Sequence, residues 1–272
     1  MLYQKYSPSD ALKPFVECYY IWEGLQPLHQ PLEVRSLPKG LAALVCNYGD
    51  PYQVVNDFHQ GSYVPQTFLT GLAKRPYSLR LAGSIGMVGV VFFPTATAHL
   101  FGIPAAYLSE ERLDLNLIIG SQADKLREEI FEAESHSGKI AVIENFLLGQ
   151  LFPRKQKTDL VDRAVHLILQ HKGLLSMDVL ADALYIGGRQ FRRKFTEQVG
   201  VSPKFYSRLK RFSFVSQMVL GSPAADWQTL VHRGGYYDQA HLIKDFTEFS
   251  GKVPSAFVHP HEDLLPHLRK RA

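Results

Sequence analysis

The residues of this chain whose types and spacing point most directly to chemistry are the arginines of "GRQFRRKFTEQVG" at 188–200. Phe191 and Phe195 stand four residues apart, so on a helix both pack inward. The polar residues before and between them then face outward, where arginine can bind O6 and N7 of guanine and glutamine can bind N6 and N7 of adenine. The pattern predicts a helix that contacts DNA. Its candidate contacts are Arg189, Gln190, Arg192, Arg193 and Lys194, with Glu197 beside them.

The same pattern occurs a second time, in "RGGYYDQAHLIKDFTEFSGKVPSAF" at 233–257. The repeated positions, each 51 residues apart, are Phe191 and Leu242, Phe195 and Phe246, Gly200 and Gly251, Pro203 and Pro254, and Tyr206 and Phe257. Leu180 and Leu230, in the preceding short helices, are only 50 residues apart, so the second copy has one extra residue in its turn. Each copy predicts a short helix, a turn and a second helix, which is the helix-turn-helix plan.

The second copy offers a less charged outer face than the first. Its candidate contacts are Gln239, Ala240, His241 and Lys244, with Ile243 beside them. Asp245 would repel phosphate if it pointed toward DNA. The basic residues that flank the base-reading positions of the first unit are expected to meet phosphates, and these are Lys194, Lys204, Arg208 and Lys210. We expect the first unit to supply most of the affinity for DNA and the second to tune the register of the protein on the duplex.

Charge is divided unevenly along the chain. Residues 1–150 carry 11 Lys and Arg against 15 Asp and Glu, whereas residues 151–272 carry 19 against 11, a net charge of +8. A basic half with a repeated helix-turn-helix pattern favours a polyanionic partner. The alternative, a solvated basic helix on an ordinary helical domain, does not account for the matched Gly and Pro spacing of the two copies.

With these motifs, residues 158–260 resemble the AraC/XylS family of bacterial transcription regulators. The resemblance implies seven helices, two helix-turn-helix units joined by a long helix, and base contacts from Arg189, Arg192, Arg193, Gln239, Ala240 and Lys244. Three departures from the family pattern stand in the turns and short helices, at Gly187–Gly188, Val231 and Gly234. They predict a looser first turn and, because glycine costs about 1 kcal/mol within a helix, a less rigid second unit.

The first half of the chain predicts a different architecture, so the fold class is α+β. Short aromatic and β-branched runs at 15–24, 41–49, 67–72, 77–83 and 86–93 predict an antiparallel barrel or sandwich. A short helix follows at 94–108, and amphipathic helices follow at 121–135 and 138–152. These last helices either cover the sheet or pair two subunits. We place the domain boundary at 152/153, where Pro153 opens a polar, basic linker at 153–159.

The role expected for domain 1–152 is sensing or dimerisation, and its ligand is unknown. The strand aromatics Phe15, Tyr19, Tyr20, Trp22, Tyr48 and Tyr52 either line an apolar pocket or form the core. The histidines His29, His59 and His99 are isolated, so no metal site is expected. Cys18 and Cys46 lie in apolar strands without neighbouring bases, which disfavours a nucleophilic thiol. We expect no cofactor and no enzymatic activity.

Together these features predict a cytoplasmic, sequence-specific DNA-binding transcription regulator. No secretory signal is evident, and no apolar run approaches the roughly 20 residues that span a bilayer. The expected partner is double-stranded DNA; a small-molecule effector, RNA polymerase and a second copy of the chain are further candidates. The main alternative is a ligand-binding or enzymatic N-terminal domain that is tethered to DNA without reading its sequence. A third is a protein–protein adaptor, which would show no salt-sensitive DNA binding.

Overall fold

A computed structural model describes residues 1–56, 60–154, 158–221 and 226–257. The chain has the predicted α+β composition, with a β-rich N-terminal part and a helical C-terminal part. The strands are β1 Leu2–Tyr6, β2 Val16–Glu23, β3 Leu28–Ser36, β4 Ala42–Asn47, β5 Gln53–Val55, β6 Gln60–Tyr63, β7 Thr67–Thr70, β8 Tyr77–Gly83, β9 Gly86–Phe92 and β10 Arg112–Asp114. The five predicted strands are confirmed as β2, β4, β7, β8 and β9.

The strands form two antiparallel sheets, in agreement with the predicted antiparallel architecture. The larger sheet has the order β1-β2-β9-β4-β7-β10, and the smaller has the order β3-β8-β5-β6. Side chains alternate along β2: Tyr19 and Ile21 pack against the helices, whereas Trp22 joins an apolar layer shared with the smaller sheet. The N-terminal part is therefore a sandwich with helices over one outer face.

Four helices complete the N-terminal part: α1 Ala96–Phe101, α2 Asn116–Ile119, α3 Ser121–Glu132 and α4 His136–Arg154. The short helix predicted at 94–108 is α1 together with a separate 3-10 turn at Ala105–Leu108, and α1 ends at Gly102, with φ 73°. Ile143 and Leu147 of α4 are fully buried in the sheet's core, so the apolar stripe covers the sheet within this chain. The expectation that the linker opens at Pro153 is wrong, because helix α4 continues through Pro153 to Arg154. Residues 155–157 of the predicted linker lie outside the described ranges.

The C-terminal part consists of helices with a core of their own. They are α5 Leu160–Gln170, α6 Met177–Ala183, α7 Gly188–Val199, α8 Pro203–Gly221, α9 Trp227–Arg233 and α10 Gln239–Ser250, followed by a 3-10 turn at Pro254–Ala256. Residues 258–260, the end of the segment that resembles the family, lie outside the described ranges. In the part of the chain that the structure describes, we find no helix long and apolar enough to cross a membrane.

Buried polar contacts join the two parts. His99 of α1 lies 2.9 Å from Asp162 of α5, and both side chains are almost fully buried. Burial alone would raise the pKa of Asp162, but hydrogen bonds from His99, from Thr95 and from the backbone N–H of Asp159 hold that pKa below its usual value. The carboxylate is therefore kept charged inside the contact between the parts.

Candidate nucleic-acid interface

The two helix-turn-helix units begin in the same way, 50 residues apart. Ser176 caps α6, its hydroxyl accepting a hydrogen bond from the N–H of Val179 at 3.2 Å. Asp226 caps α9 by accepting from the N–H of Thr229, also at 3.2 Å. Such caps satisfy backbone donors that a helix start leaves free. The short first helices are thus fixed by matching contacts.

The turns of the two units also match. Tyr185 and Gly235, again 50 residues apart, both adopt left-handed backbone, with φ 51° and φ 60°. The next residue then bonds back into the first helix, from Ile186 N–H in one unit and from Tyr236 N–H in the other. The added residue is Tyr237, which follows this shared turn and whose side chain is almost fully exposed. The predicted one-residue insertion is confirmed.

The second helices, α7 and α10, bury their apolar residues as the repeat predicted. Phe191 and Phe195 are buried in α7, and Leu242 and Phe246 are buried in α10. Both helices end at a left-handed glycine, Gly200 with φ 85° and Gly251 with φ 69°. Because inward residues and helix ends match, the outer faces of α7 and α10 correspond as well.

All five α7 candidates, Arg189, Gln190, Arg192, Arg193 and Lys194, are exposed to solvent. Among the residues that the structure describes, the one ion pair of Arg193 is a long surface pair with Glu197, at 3.9 Å, and such pairs contribute little. Gly187 caps α7 without a side-chain hydrogen bond, which is the departure expected from the Gly187–Gly188 pair. The α7 face can therefore bind a partner without first breaking strong internal contacts.

The α10 face is smaller. Gln239, Ala240 and Lys244 are exposed, and Asp238 caps the helix by accepting from His241 N–H at 2.7 Å. His241 is half-buried, with its ring centroid 5.2 Å from that of Tyr236, so its side chain is partly committed to packing. The side chains left for a partner at α10 are thus mainly Gln239, Ala240 and Lys244.

Arg208 and Asp245 are engaged with each other, which sequence reasoning missed. Arg208 donates to Asp245 Oδ1 at 2.6 and 3.1 Å and also pairs with Glu248. Asp245 is only 1% exposed, so its carboxylate is not part of the outer face of α10, and its second oxygen lies 3.5 Å from Arg211. A phosphate contact from Arg208 would have to compete with two carboxylates. The ion-pair network instead fixes α10 to α8.

Of the other flanking bases, Lys204 is exposed, but the expectation for Lys210 is wrong. Lys210 is 8% exposed, and its ammonium group donates to the backbone carbonyl of Lys39 in the N-terminal part. Burial lowers the pKa of Lys210 to about 7. Its position in α8 faces the sandwich rather than solvent, so it is no phosphate contact.

The expectation that Gly234 loosens the second unit is also wrong. α9 ends at Arg233, so Gly234 is a cap residue rather than part of the helix interior. A Cβ at this position would meet Leu230 O at 2.6 Å and Val215 Cγ2 at 2.7 Å. Glycine therefore allows the turn to approach α8 closely, which tightens the unit.

The N-terminal part reaches the first unit through the 3-10 turn Ala105–Leu108. A Cβ at Gly200, the residue that ends α7, would lie 3.1 Å from Ala106 Cα. Tyr107, 78% exposed, and Ala106 line a surface depression together with the outer residues of α7, Arg189 and Arg193 among them. Any partner that covers the outer face of α7 would therefore also contact the Ala105–Leu108 turn.

The N-terminal candidates for other chemistry are two cysteines and three histidines. Burial raises the pKa of Cys18 to about 11 and that of Cys46 to about 12, which suppresses the reactive thiolate. His29 is exposed, His99 is paired with Asp162, and His59 lies outside the described residues. Within the described ranges, no group of three His, Cys, Asp or Glu side chains is placed to hold a metal ion.

Comparisons with known proteins bear on both parts. A family described as a domain of unknown function, DUF6597, matches residues 4–114, less than half of the chain. No curated protein matches. ToxT from Vibrio cholerae is 10% identical, with a TM-score of 0.45 over 88% of this chain and 97% of ToxT.

Two further solved structures are similar. The C-terminal domain of AraT, a response regulator from Geobacillus stearothermophilus, is 19% identical, with a TM-score of 0.35 over 37% of this chain and 84% of that one. The transcriptional activator CuxR, described as AraC-like, is 14% identical, with a TM-score of 0.28 over 80% of this chain and 87% of CuxR. These likenesses concern the fold.

Proposed function

We propose that this chain is a sequence-specific DNA-binding transcription regulator of the AraC/XylS type. The observation that carries the proposal is the pair of helix-turn-helix units with matching caps, turns and inward residues, each of which leaves a polar outer face exposed. Two such units on a basic half fit two major-groove contacts on one side of a duplex.

In the proposed mechanism, net charge attracts the duplex and exposed side chains of α7 and α10 contact it. The net charge of +8 on residues 151–272 attracts the duplex, and phosphate contacts make affinity fall steeply with salt. Arg189, Gln190, Arg192 and Arg193 then read bases from α7, and Lys194 meets phosphate. The second helix adds a weaker contact through Gln239, Ala240 and Lys244, with Arg208 held inside the protein by its carboxylates.

The N-terminal sandwich is proposed to modulate this binding. The Ala105–Leu108 turn touches α7 beside its outer residues, so any movement of the sandwich changes the surroundings of the first recognition helix. An effector that binds the sandwich would act through this contact.

The test is selection of random DNA duplexes by the full chain, followed by titration of Arg193→Ala and Lys194→Ala on the enriched site. Arg193→Ala should cost about 1–3 kcal/mol of binding and relax preference at one base, whereas Lys194→Ala should weaken all sequences alike and lower the salt slope by about 1. Lys125→Ala, at an exposed lysine of α3 in the N-terminal part, is the matched control and should change neither.

An equal loss of binding affinity on every DNA sequence with Arg193→Ala would mean that Arg193 contacts phosphate and does not read a base. Salt-dependent binding without any enriched motif would support tethering to DNA without sequence readout and would contradict the proposal.

A further inference from the structure

The turn Ala105–Leu108 is a segment of the N-terminal part that borders α7. Ala105 and Leu108 are fully buried and anchor the turn on both sides. Tyr107 lies between them, yet its side chain is 78% exposed and contributes little to the core. The turn therefore presents one large side chain, an aromatic ring with a hydroxyl group, at the edge of the proposed DNA-binding surface.

Backbone contacts hold this turn on the sandwich. The N–H of Gly71, directly after β7, donates to Leu108 O at 2.9 Å. A Cβ at Gly71 would lie 2.7 Å from the Leu108 backbone, so glycine allows this close approach. Within the turn, the Tyr107 N–H donates to Pro104 O at 3.0 Å. Because the backbone is already fixed, a contact through the tyrosine side chain has to order only its own torsions, which keeps the entropic cost low.

The sandwich is also fixed beside both recognition helices, at equivalent places. Gly200 and Gly251, 51 residues apart, end α7 and α10. A Cβ at Gly200 would lie 3.1 Å from Ala106 Cα. At Gly251 it would lie 2.6 Å from the guanidinium group of Arg35 in β3, which donates to the last backbone carbonyl of α10 at 2.5 Å. A duplex that lies along α7 and α10 would therefore run past the sandwich, with the Ala105–Leu108 turn beside its α7 half.

The surroundings of Tyr107 carry positive charge. Tyr107 lines one depression with the outer face of α7, and the guanidinium groups of that lining belong to Arg189, Arg192 and Arg193. The one carboxylate of the lining is that of Glu197, which makes the long ion pair with Arg193. A tyrosine hydroxyl is a hydrogen-bond donor, and tyrosine is among the side chains that bind phosphate oxygens in protein–DNA complexes. The depression therefore suits a polyanion, and its place along α7 favours the phosphates that border a major groove.

We propose that Tyr107 is a DNA contact supplied by the N-terminal part, with its hydroxyl group donating a hydrogen bond to a phosphate that flanks the groove read by α7. The contact adds affinity on every sequence, since phosphates carry no sequence information. This inference rests on the proposed function, because it adds to the same DNA-binding surface a contact from outside the two helix-turn-helix units.

The hydroxyl group is tested by Tyr107→Phe in the full chain, on the selected duplex and on an unrelated duplex. Loss of a hydrogen bond to phosphate should weaken binding to both by about 10-fold, equivalent to about 1.4 kcal/mol. Because tyrosine is uncharged and displaces no counterion, the salt slope should stay unchanged, unlike that of Lys194→Ala. Tyr63→Phe, at a 66% exposed tyrosine of β6 outside the depression, is the matched control and should change neither affinity.

The partner of the hydroxyl group is located with methylphosphonate linkages, in which a methyl group replaces one charged phosphate oxygen. The linkage is placed at one position at a time across the α7 half of the duplex. At one position it should weaken binding by the wild-type chain, and Tyr107→Phe should then cost little further affinity. Additive losses at every position would mean that the hydroxyl group has no phosphate partner and would overturn the proposal.

Unchanged affinity of Tyr107→Phe on both duplexes would also overturn the contact. So would a rise in affinity, which would mean that the turn obstructs the duplex instead of binding it.

Failure of this inference and failure of the proposed function are distinct. A selected motif that Tyr107→Phe binds as tightly as the wild-type chain would support the proposed function and refute the contact. Salt-dependent binding without an enriched motif would refute sequence readout, but a loss of about 10-fold with Tyr107→Phe on unrelated duplexes would still support the contact. No DNA binding by the full chain would refute both.

Discussion

Removal of the Asp245 carboxylate charge should destabilise the helical part strongly. Asp245 is 1% exposed and accepts hydrogen bonds from Arg208, at 2.6 and 3.1 Å, and from Arg211, at 3.5 Å. Asp245→Asn keeps the shape of the side chain and removes its charge. Two guanidinium groups would then face a neutral amide whose NH₂ group cannot accept their hydrogen bonds.

The structure sets the size of the effect. Loss of one partner of a buried ion pair costs about 3–5 kcal/mol. Arg208 and Arg211 are 22% and 15% exposed, and Arg208 keeps Glu248, so water and the second carboxylate offset part of that cost. We expect a loss of about 3 kcal/mol in the free energy of unfolding, which lowers the urea midpoint by about 1–3 M.

The assay is urea unfolding followed by the fluorescence of Trp227, which packs on the helical core, with Trp22→Phe in every protein compared. Glu248→Gln is the matched control: it removes the other carboxylate on Arg208, but its side chain is 41% exposed, so it should cost at most about 1 kcal/mol. The reasoning is refuted if Asp245→Asn costs less than about 1 kcal/mol, or no more than Glu248→Gln.

Three further changes test other contacts, each by urea unfolding. Gly200→Ala should lower the free energy of unfolding by about 1–2 kcal/mol or more, because φ is 85° and a Cβ would press on the Ala105–Leu108 turn. Gly188→Ala, with open space around it, should raise the free energy of unfolding by about 0.4–1 kcal/mol. Equal effects of the two substitutions would contradict this reasoning. The pKa of Asp162 is lowered in the folded chain, so the stability that Asp162 contributes is present above about pH 4 and lost as pH falls further. Asp162→Asn should therefore reduce the fall of the free energy of unfolding at acid pH. An unchanged fall would count against the His99–Asp162 pair. The pKa of Lys210 falls to about 7 on folding, so above that pH the unfolded chain binds one more proton than the folded chain, and the free energy of unfolding should rise from about pH 7 to 9. Lys210→Met should remove this rise. If the rise persists in Lys210→Met, a group other than Lys210 causes it.

The helix-turn-helix units could be predicted from sequence because their signals are local. Apolar residues four apart, cap residues such as Ser176 and Asp226, and glycines after helix ends each act over one or two turns of helix. The repeat then fixed the offset at 51 residues and the position of the insertion before the second recognition helix. The outer residues of α7 followed from the inward ones.

What the sequence could not predict depends on contacts between distant segments. Lys210 looks like a surface base in "SRLKRF", yet the sandwich covers it, and Arg208 looks free until Asp245 is placed beside it. The strand β3 was missed because "LHQPLEVRS" holds a proline and charges, and β5 and β6 because they are three and four residues long.

The most direct test of the account is a titration of the full chain on its selected duplex, with each half of the motif scrambled in turn. If α7 and α10 read successive grooves, scrambling the α7 half should cost most of the specific affinity. Scrambling the α10 half should cost a smaller but measurable part, with a steep salt dependence throughout. Full affinity with either half scrambled would contradict two-groove readout.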